Sequence, residues 1–312
     1  LQHSPDTIRA ALLLTNRLIS LDARPLTARE FWDFTARHDP GDLFNRDASE
    51  IAELTHSSDD ETARLLTLLR ASTALAFEQD RLADGGIELV SALDERFPSS
   101  LRDRLGAACP TFLLVAGPIE WLDRPGLGIV GARDAPDAAL LAARQSAEHA
   151  VAAGWPVISG LARGVDQAAM SGALDAGGVV VGVPAEGILR ASRNAEIRGR
   201  VHGGELCIAS PYAPGAPFTA GNAMGRNKII YALSRVTFVV ASDKDSGGTW
   251  AGAKEALDRH YAPVAVWAGD GGKDGNEALI ERGAVPIIEL DSLFAVQPRA
   301  RSDSPVQQTF PI

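Results

Sequence analysis

From about residue 111 the apolar positions fall in short unbroken runs rich in β-branched residues, among them GIVG, PVISG, VVVGV and VTFVVA. Such a run has no polar face to turn toward water, which is the pattern of strands covered on both sides. The runs predict strands at 112–115, 128–131, 156–159, 179–183, 206–209, 236–241 and 263–267. Between them, stretches at 137–153, 165–176, 222–234 and 249–259 carry helical spacing.

The first third has a different texture. Residues 7–19 (TIRAALLLTNRLI) repeat at helical period, Thr27 and Glu30 are spaced as a capping box before FWDF, and Asp59, Asp60 and Glu61 place acid where it favours a helix start. At ADGG (83–86) the pattern stops, and a short strand at 87–90 followed by Phe97 and Pro98 connects into the second part. The chain therefore divides into a helical domain at 1–85, an α/β domain at 86–290 and a polar, proline-rich tail at 291–312 without fixed structure. Alternating strand and helix build a parallel sheet through right-handed crossovers, so the expected fold is a Rossmann-like, mostly parallel sheet flanked by helices and preceded by a small all-helical domain. There is no internal repeat.

Composition narrows the function classes. Apolar residues make up 46% of the 312, enough for a packed core, and no charge-free apolar run is long enough for a membrane span. The chain opens at Leu1, which reads as a start trimmed from a longer chain, and it shows no signal-peptide pattern. Cys109 and Cys207 stand in unrelated settings without CxxC spacing, which fits a reducing cytoplasm and no zinc site. His149, His202 and His260 likewise lack metal-like spacing. The net charge of −10 is unevenly spread. Residues 1–98 hold eighteen acidic against ten basic residues, whereas 190–235 hold seven basic against two acidic. A basic groove on an acidic body is compatible with that distribution.

Three predicted strand ends share one chemistry. GAR at 131–133, SGLARGVD at 159–166 and SGGT at 246–249 each put small residues ahead of a helix start, where backbone N–H groups are free to meet an anion. A single such turn is ordinary strand-to-helix punctuation; three together, two bearing arginine, favour a phosphate cradle. Asp166 is expected to cap its helix or to fix Arg163. A fourth element, GRNKIIYALS at 225–234, brings Arg226 and Lys228 near a helix start. No Walker sequence occurs, and GLGIVG at 126–131 spells GxGxxG but runs through the predicted strand at 128–131 instead of following a strand into a helix, so bound NAD and a P-loop NTPase are disfavoured and no cofactor is expected.

In this order the motifs resemble the DNA-processing protein A family (DprA/Smf): IVGAR at 129–133, SGLARGVD, the glycine pair Gly177 and Gly178, the helix start at Arg226, Asn227 and Lys228, and the turn at Ser246 and Gly247. FPSSL at 97–101 and NEALIERGA at 276–284 match further landmarks, so the resemblance covers roughly residues 95–287. It implies a cytoplasmic, homodimeric protein without catalytic residues that binds single-stranded DNA regardless of sequence, protects it, and helps load the RecA recombinase in natural transformation or recombination. The implied DNA-contacting residues are Arg133, Ser159, Gly160, Arg163, Gly164, Arg226, Asn227 and Lys228, joined by Ser246 and Gly247 from the third turn. The helical first third would be the family's sterile-alpha-motif-like accessory module. Met170 stands where the family usually has histidine, and no winged helix is expected after about residue 290. Of the aromatic residues near the motifs, Tyr212, Phe218 and Tyr231 read as packing side chains more than as base-stacking platforms.

A second reading starts from SGGTWAGAKE at 246–255, which resembles the PGGxGTxxE signature of the related cytokinin-activating phosphoribohydrolases. That reading implies a nucleotide sensor or a nucleoside-monophosphate hydrolase with Glu255 as its carboxylate, although the spacing to Glu255 is longer than in the signature.

Overall fold

The computed structural model describes residues 3–297. Five helices come first: α1 (Pro5–Thr15), α2 (Ala28–Thr35), α3 (Ala48–Thr55), α4 (Asp59–Leu69) and α5 (Ser72–Asp84). Local chemistry explains their starts. Thr27 and Glu30 close the capping box expected for α2, Asp47 and Glu50 close another at α3, and Ser58 caps α4 ahead of its three acids. Ala10, Leu14, Phe31, Leu43, Ile51, Leu65 and Leu68 form a core among these helices. Leu12, Leu13, Leu75 and Leu82 instead join the core beneath the sheet, and the Trp32 Nε1–H donates to the Cys109 carbonyl at 2.8 Å. The helical region is thus packed onto the rest of the molecule.

The remaining elements are β1 (Ile87–Ser91), α6 (Ser99–Leu105), β2 (Phe112–Ala116), β3 (Leu127–Val130), α7 (Asp137–Ala152), β4 (Val157–Ser159), α8 (Val165–Asp175) and β5 (Val180–Gly182). They continue with α9 (Ile188–Ala191), α10 (Ala195–His202), β6 (Leu206–Ser210), α11 (Ala220–Leu233), β7 (Val236–Val239), α12 (Gly247–Arg259), β8 (Val264–Trp267), α13 (Asp274–Glu281) and β9 (Val285–Ile287). The strands form one sheet in the order β1-β2-β6-β5-β4-β3-β7-β8-β9. Pairs from β6 through β9 are parallel, as the alternation predicts. The strand at 112–115 departs from that expectation: β2 is antiparallel to both of its neighbours, β1 and β6. Both faces are covered. Alanines of α7 and α8 pack on one face, and Ile229, Ile230, Trp250 and Leu279 of α11, α12 and α13 on the other.

Elements the pattern did not announce have separate causes. α10 buries no residue and so leaves no apolar stripe, whereas β9 lies in the apolar run AVPII at 284–288 but is three residues long with a proline at its centre, which argues against a strand. The expectation of an unstructured tail from 291 is corrected at its start: a 3-10 turn at Leu290–Ala295 buries Leu293 in the core under the sheet. Residues 298–312, the rest of that expectation, lie outside the described residues. Among the described residues, no helix is long and apolar enough to cross a membrane, and no cluster of His, Cys, Asp and Glu could hold a metal ion.

Candidate nucleic-acid interface

Chain direction across the sheet reverses between β3 and β7: from β3 the chain crosses to β4 on one side, and from β7 to β8 on the other. In a parallel α/β sheet this switch point leaves a crevice beyond the carboxyl ends of the strands. A cleft of about 600 Å³ lies there. Its walls are the turn after β3 (131–134), Ala162 and Asp166 from the β4–α8 connection, the start of α11 with Phe218 ahead of it, and the start of α12.

Arg133 is exposed on one wall, and its guanidinium carbon lies 5.3 Å from the centre of the Phe218 ring. Phe218 is 49% exposed, so the expectation that it packs into loop or core is corrected. A large apolar ring left in solvent beside a cation is a ready platform for a base. Tyr212 and Tyr231 do pack: the Tyr212 hydroxyl donates to the Asn222 carbonyl at 2.5 Å, and Tyr231 is buried. Met224, 54% exposed, adds apolar surface to the same cleft.

Opposite stands the start of α12. Ser246 is extended, and Gly247 takes φ +76°, a conformation that favours glycine, to turn the chain into the helix. No side chain caps the first turn, and Ser246, Gly247, Gly248 and Thr249 all line the cleft, so unsatisfied backbone N–H groups meet the cavity. Asn227 ties this turn to α11 by donating from Nδ2 to the Gly248 carbonyl at 2.9 Å.

Arg226 forms the floor in an unforeseen way. It is 6% exposed, and Nη1 lies 3.5 Å from Asp166 Oδ2, which also accepts the Gly160 N–H at 3.1 Å. Burial pushes the Asp166 carboxyl above the usual range, against the pull of Arg226 and of the Ala162 and Gly160 amides. A Cβ at Gly160 would sit 1.2 Å from Arg226 Nη1. The glycine of SGLARGVD therefore makes room for a guanidinium, and its amide is spent on Asp166.

Several expected contact residues move out of the cleft. Ser159 is buried and its Oγ–H donates to the Ile129 carbonyl at 2.7 Å. Gly164, at φ +80°, presses its backbone against the carbonyls of Ala132 and Arg133, where a Cβ would clash at 2.5 and 2.6 Å. Arg163 is exposed beside Ala162 but outside the lining, and Asp166 fixes Arg226 in its place. Lys228 sits on another face of α11, 3.0 Å from Glu255 Oε1, because residues two apart on a helix point in different directions. Arg133, Arg226, Asn227, Ser246 and Gly247 remain in the lining.

Acids line the cleft as well. Asp134 and Asp243 face each other across its mouth, and Lys273 bridges them at 3.2 and 2.9 Å. Arg226 offsets Asp166, and Lys273 offsets one of the two charges on Asp134 and Asp243, so the cleft is balanced in formal charge and an anion would meet the exposed Arg133 guanidinium and the α12 amides locally. Lys273 has no motif of its own; only the approach of three distant loops shows its role. Glu255, the carboxylate of the phosphoribohydrolase signature, bonds Lys228 and the Tyr261 hydroxyl outside the cleft.

The family model described as DNA recombination-mediator protein A matches residues 88–297. Protein Smf of Synechocystis is 33% identical over 125 residues, 39% of this chain and 31% of that protein. DNA processing protein DprA of Streptococcus pneumoniae is 28% identical over 212 residues, 66% of this chain and 72% of that protein. The match therefore spans less than a third of the Synechocystis relative's length. Among solved structures, DNA processing protein A of S. pneumoniae superposes with a TM-score of 0.65 at 21% identity, over 87% of this chain and 98% of that one. DNA processing protein A of Helicobacter pylori, solved for its single-stranded DNA binding mode, gives 0.56 at 22%, over 67% and 94%. At these identities the structures establish the fold.

Proposed function

The chain belongs to the DNA recombination-mediator protein A family, and from that premise we propose that it binds single-stranded DNA, without regard to base sequence, in the cleft between β3 and β7. The observation that carries this reading is the pairing of exposed Arg133 over exposed Phe218 with the uncapped start of α12 across the cavity. In this reading the amides of α12 donate to a backbone phosphate, Arg133 contributes screened Coulomb attraction, and Phe218 offers its face to a base. None of these contacts reads a base edge, so binding is indifferent to sequence. The bound strand would be protected and passed to a recombinase of the RecA type during DNA uptake or recombination, by a homodimer in the cytoplasm.

We further propose that the chain does no covalent chemistry and needs no cofactor. The distance of Glu255 from the cleft supports this, since a carboxylate that cannot reach a ribose cannot assist its hydrolysis.

The test compares a labelled oligothymidylate with nucleoside monophosphates at low and high salt, for the wild type and Arg133→Ala. Loss of Arg133 is expected to weaken the oligonucleotide and to reduce the slope of log K against log salt by about 0.7, the counterion share of one phosphate on a single strand. Preference for a mononucleotide with release of free base, or an oligonucleotide affinity untouched by salt and by the substitution, would overturn the proposal.

A further inference from the structure

A second basic surface lies beyond the cleft. Residues 187–204 hold Arg190, Arg193, Arg198 and Arg200 against a single acid, Glu196. Arg200 is occupied by Glu205 at 2.6 Å, but Arg190, Arg193 and Arg198 are exposed and pair with no carboxylate among the described residues. Arg190 Nε donates to the Gly215 carbonyl, and Arg198 Nη1 donates to the carbonyls of Ser192 and Arg193. Those bonds hold two guanidinium groups in place and leave their charge uncompensated. Arg193 and Arg198 line a groove of about 740 Å³ between α9–α10 and the ends of β1 and β2, and no carboxylate shares that lining. The contrast with the cleft, where three aspartates offset the cations, is direct.

The two basic regions are joined by one loop. Gly187, Leu189 and Arg190 bond the carbonyls of Ala216, Pro214 and Gly215, and three residues further on Phe218 reaches the mouth of the cleft. Three peptide steps cover at most about 11 Å. Gly215 and Pro217 are exposed, so this loop offers an open surface between the two regions.

We propose that a polynucleotide strand leaving the cleft past Phe218 runs over this loop to Arg190 and continues into the groove of Arg193 and Arg198. The inference rests on the single-stranded DNA reading above and extends it: the cleft anchors the strand, and the α9–α10 surface lengthens the binding site. Contacts there are to phosphate, because the groove pairs two arginines with no Phe, Tyr or Trp face and His202 as its one ring, so it neutralises a backbone more than it reads bases.

The test uses the full chain, two oligothymidylates of roughly 6 and roughly 24 nucleotides, and the variants Arg193→Glu and Arg190→Glu/Arg193→Glu. Among the described residues Arg193 makes no side-chain hydrogen bond and Arg190 makes one, to the Gly215 carbonyl, so circular dichroism checks that both variants keep the fold. The expected result is an affinity for the long oligonucleotide that falls about tenfold in the double variant, with a salt slope shallower by about 1.4, while the short one binds as in the wild type. An unchanged long-strand affinity, or equal losses at both lengths, overturns the extension and leaves the cleft standing. A wild type that binds neither length refutes the functional reading, and this one falls with it.

Discussion

Gly160→Ala adds one methyl group at a backbone position without a positive φ. There, alanine by itself would be neutral or stabilising by about 0.4–1 kcal/mol through the unfolded chain. The new carbon would lie 1.2 Å from Nη1 and 2.1 Å from Cζ of Arg226, so the guanidinium has to leave its seat and abandon Asp166. Breaking a buried ion pair from one side costs about 3–5 kcal/mol, a large part of the roughly 5–15 kcal/mol that holds a domain folded. With a urea m-value of about 3 kcal/mol/M, the unfolding midpoint should drop by about 1–2 M. Arg226→Leu removes the obstacle and also strands Asp166. The double variant Gly160→Ala/Arg226→Leu should therefore fall short of the summed single losses by about 2–3 kcal/mol, since the methyl group no longer meets a guanidinium. Urea titrations followed by tryptophan fluorescence measure all four proteins. A Gly160→Ala protein as stable as the wild type, or losses that add to within about 0.5 kcal/mol, would refute the account of why glycine occupies this position.

Other consequences are open to simpler measurements. Lys228→Ala should leave oligonucleotide affinity unchanged and cost no more than about 1 kcal/mol, since its partly exposed pair with Glu255 lies away from the cleft; a marked loss of binding would return Lys228 to the interface. Burial pushes the thiols of Cys109 and Cys207 up to about 12, so a disulfide reagent at pH 8 should label them only as the protein unfolds. Rapid labelling of the folded protein would contradict that placement. The Arg24 guanidinium holds the Glu30 carboxyl well below its ordinary 4.5, with burial acting in the opposite sense. A depressed folded-state carboxyl stabilises above its ordinary range, so this contribution should fade as pH falls below about 4.5, and Arg24→Ala should flatten that part of the acid-unfolding curve.

Strands covered on both faces were legible because burial leaves them no polar positions, and the long helices because their cores recur at helical spacing. What failed to show was structure held by few buried side chains, such as α10, or built at a rim, such as β9. The direction of β2 was hidden for a different reason: a fully buried run reads the same whether it pairs parallel or antiparallel. At the site, Arg133 was readable because it follows a strand end on an exposed turn. Gly160 and Gly164 were found, but the sequence could not say what stands opposite a glycine, and the answer is protein: a guanidinium in one case, two carbonyls in the other. Arg226 and Lys228 are two residues apart, about 200° around a helix, so that they diverge was legible from spacing alone, while which of them faces the cleft was not. Lys273 required three-dimensional proximity and had no local signature.

The rims of the sheet bear on how such a protein behaves when crowded. One outer strand, β9, is three residues long and carries Pro286, which lacks an N–H to offer a neighbour. The other, β1, presents the charged Glu88, paired with Arg96 at 2.7 Å. Neither is a good template for a strand from another copy, so molecules at high concentration would resist fusing edge to edge into aggregates.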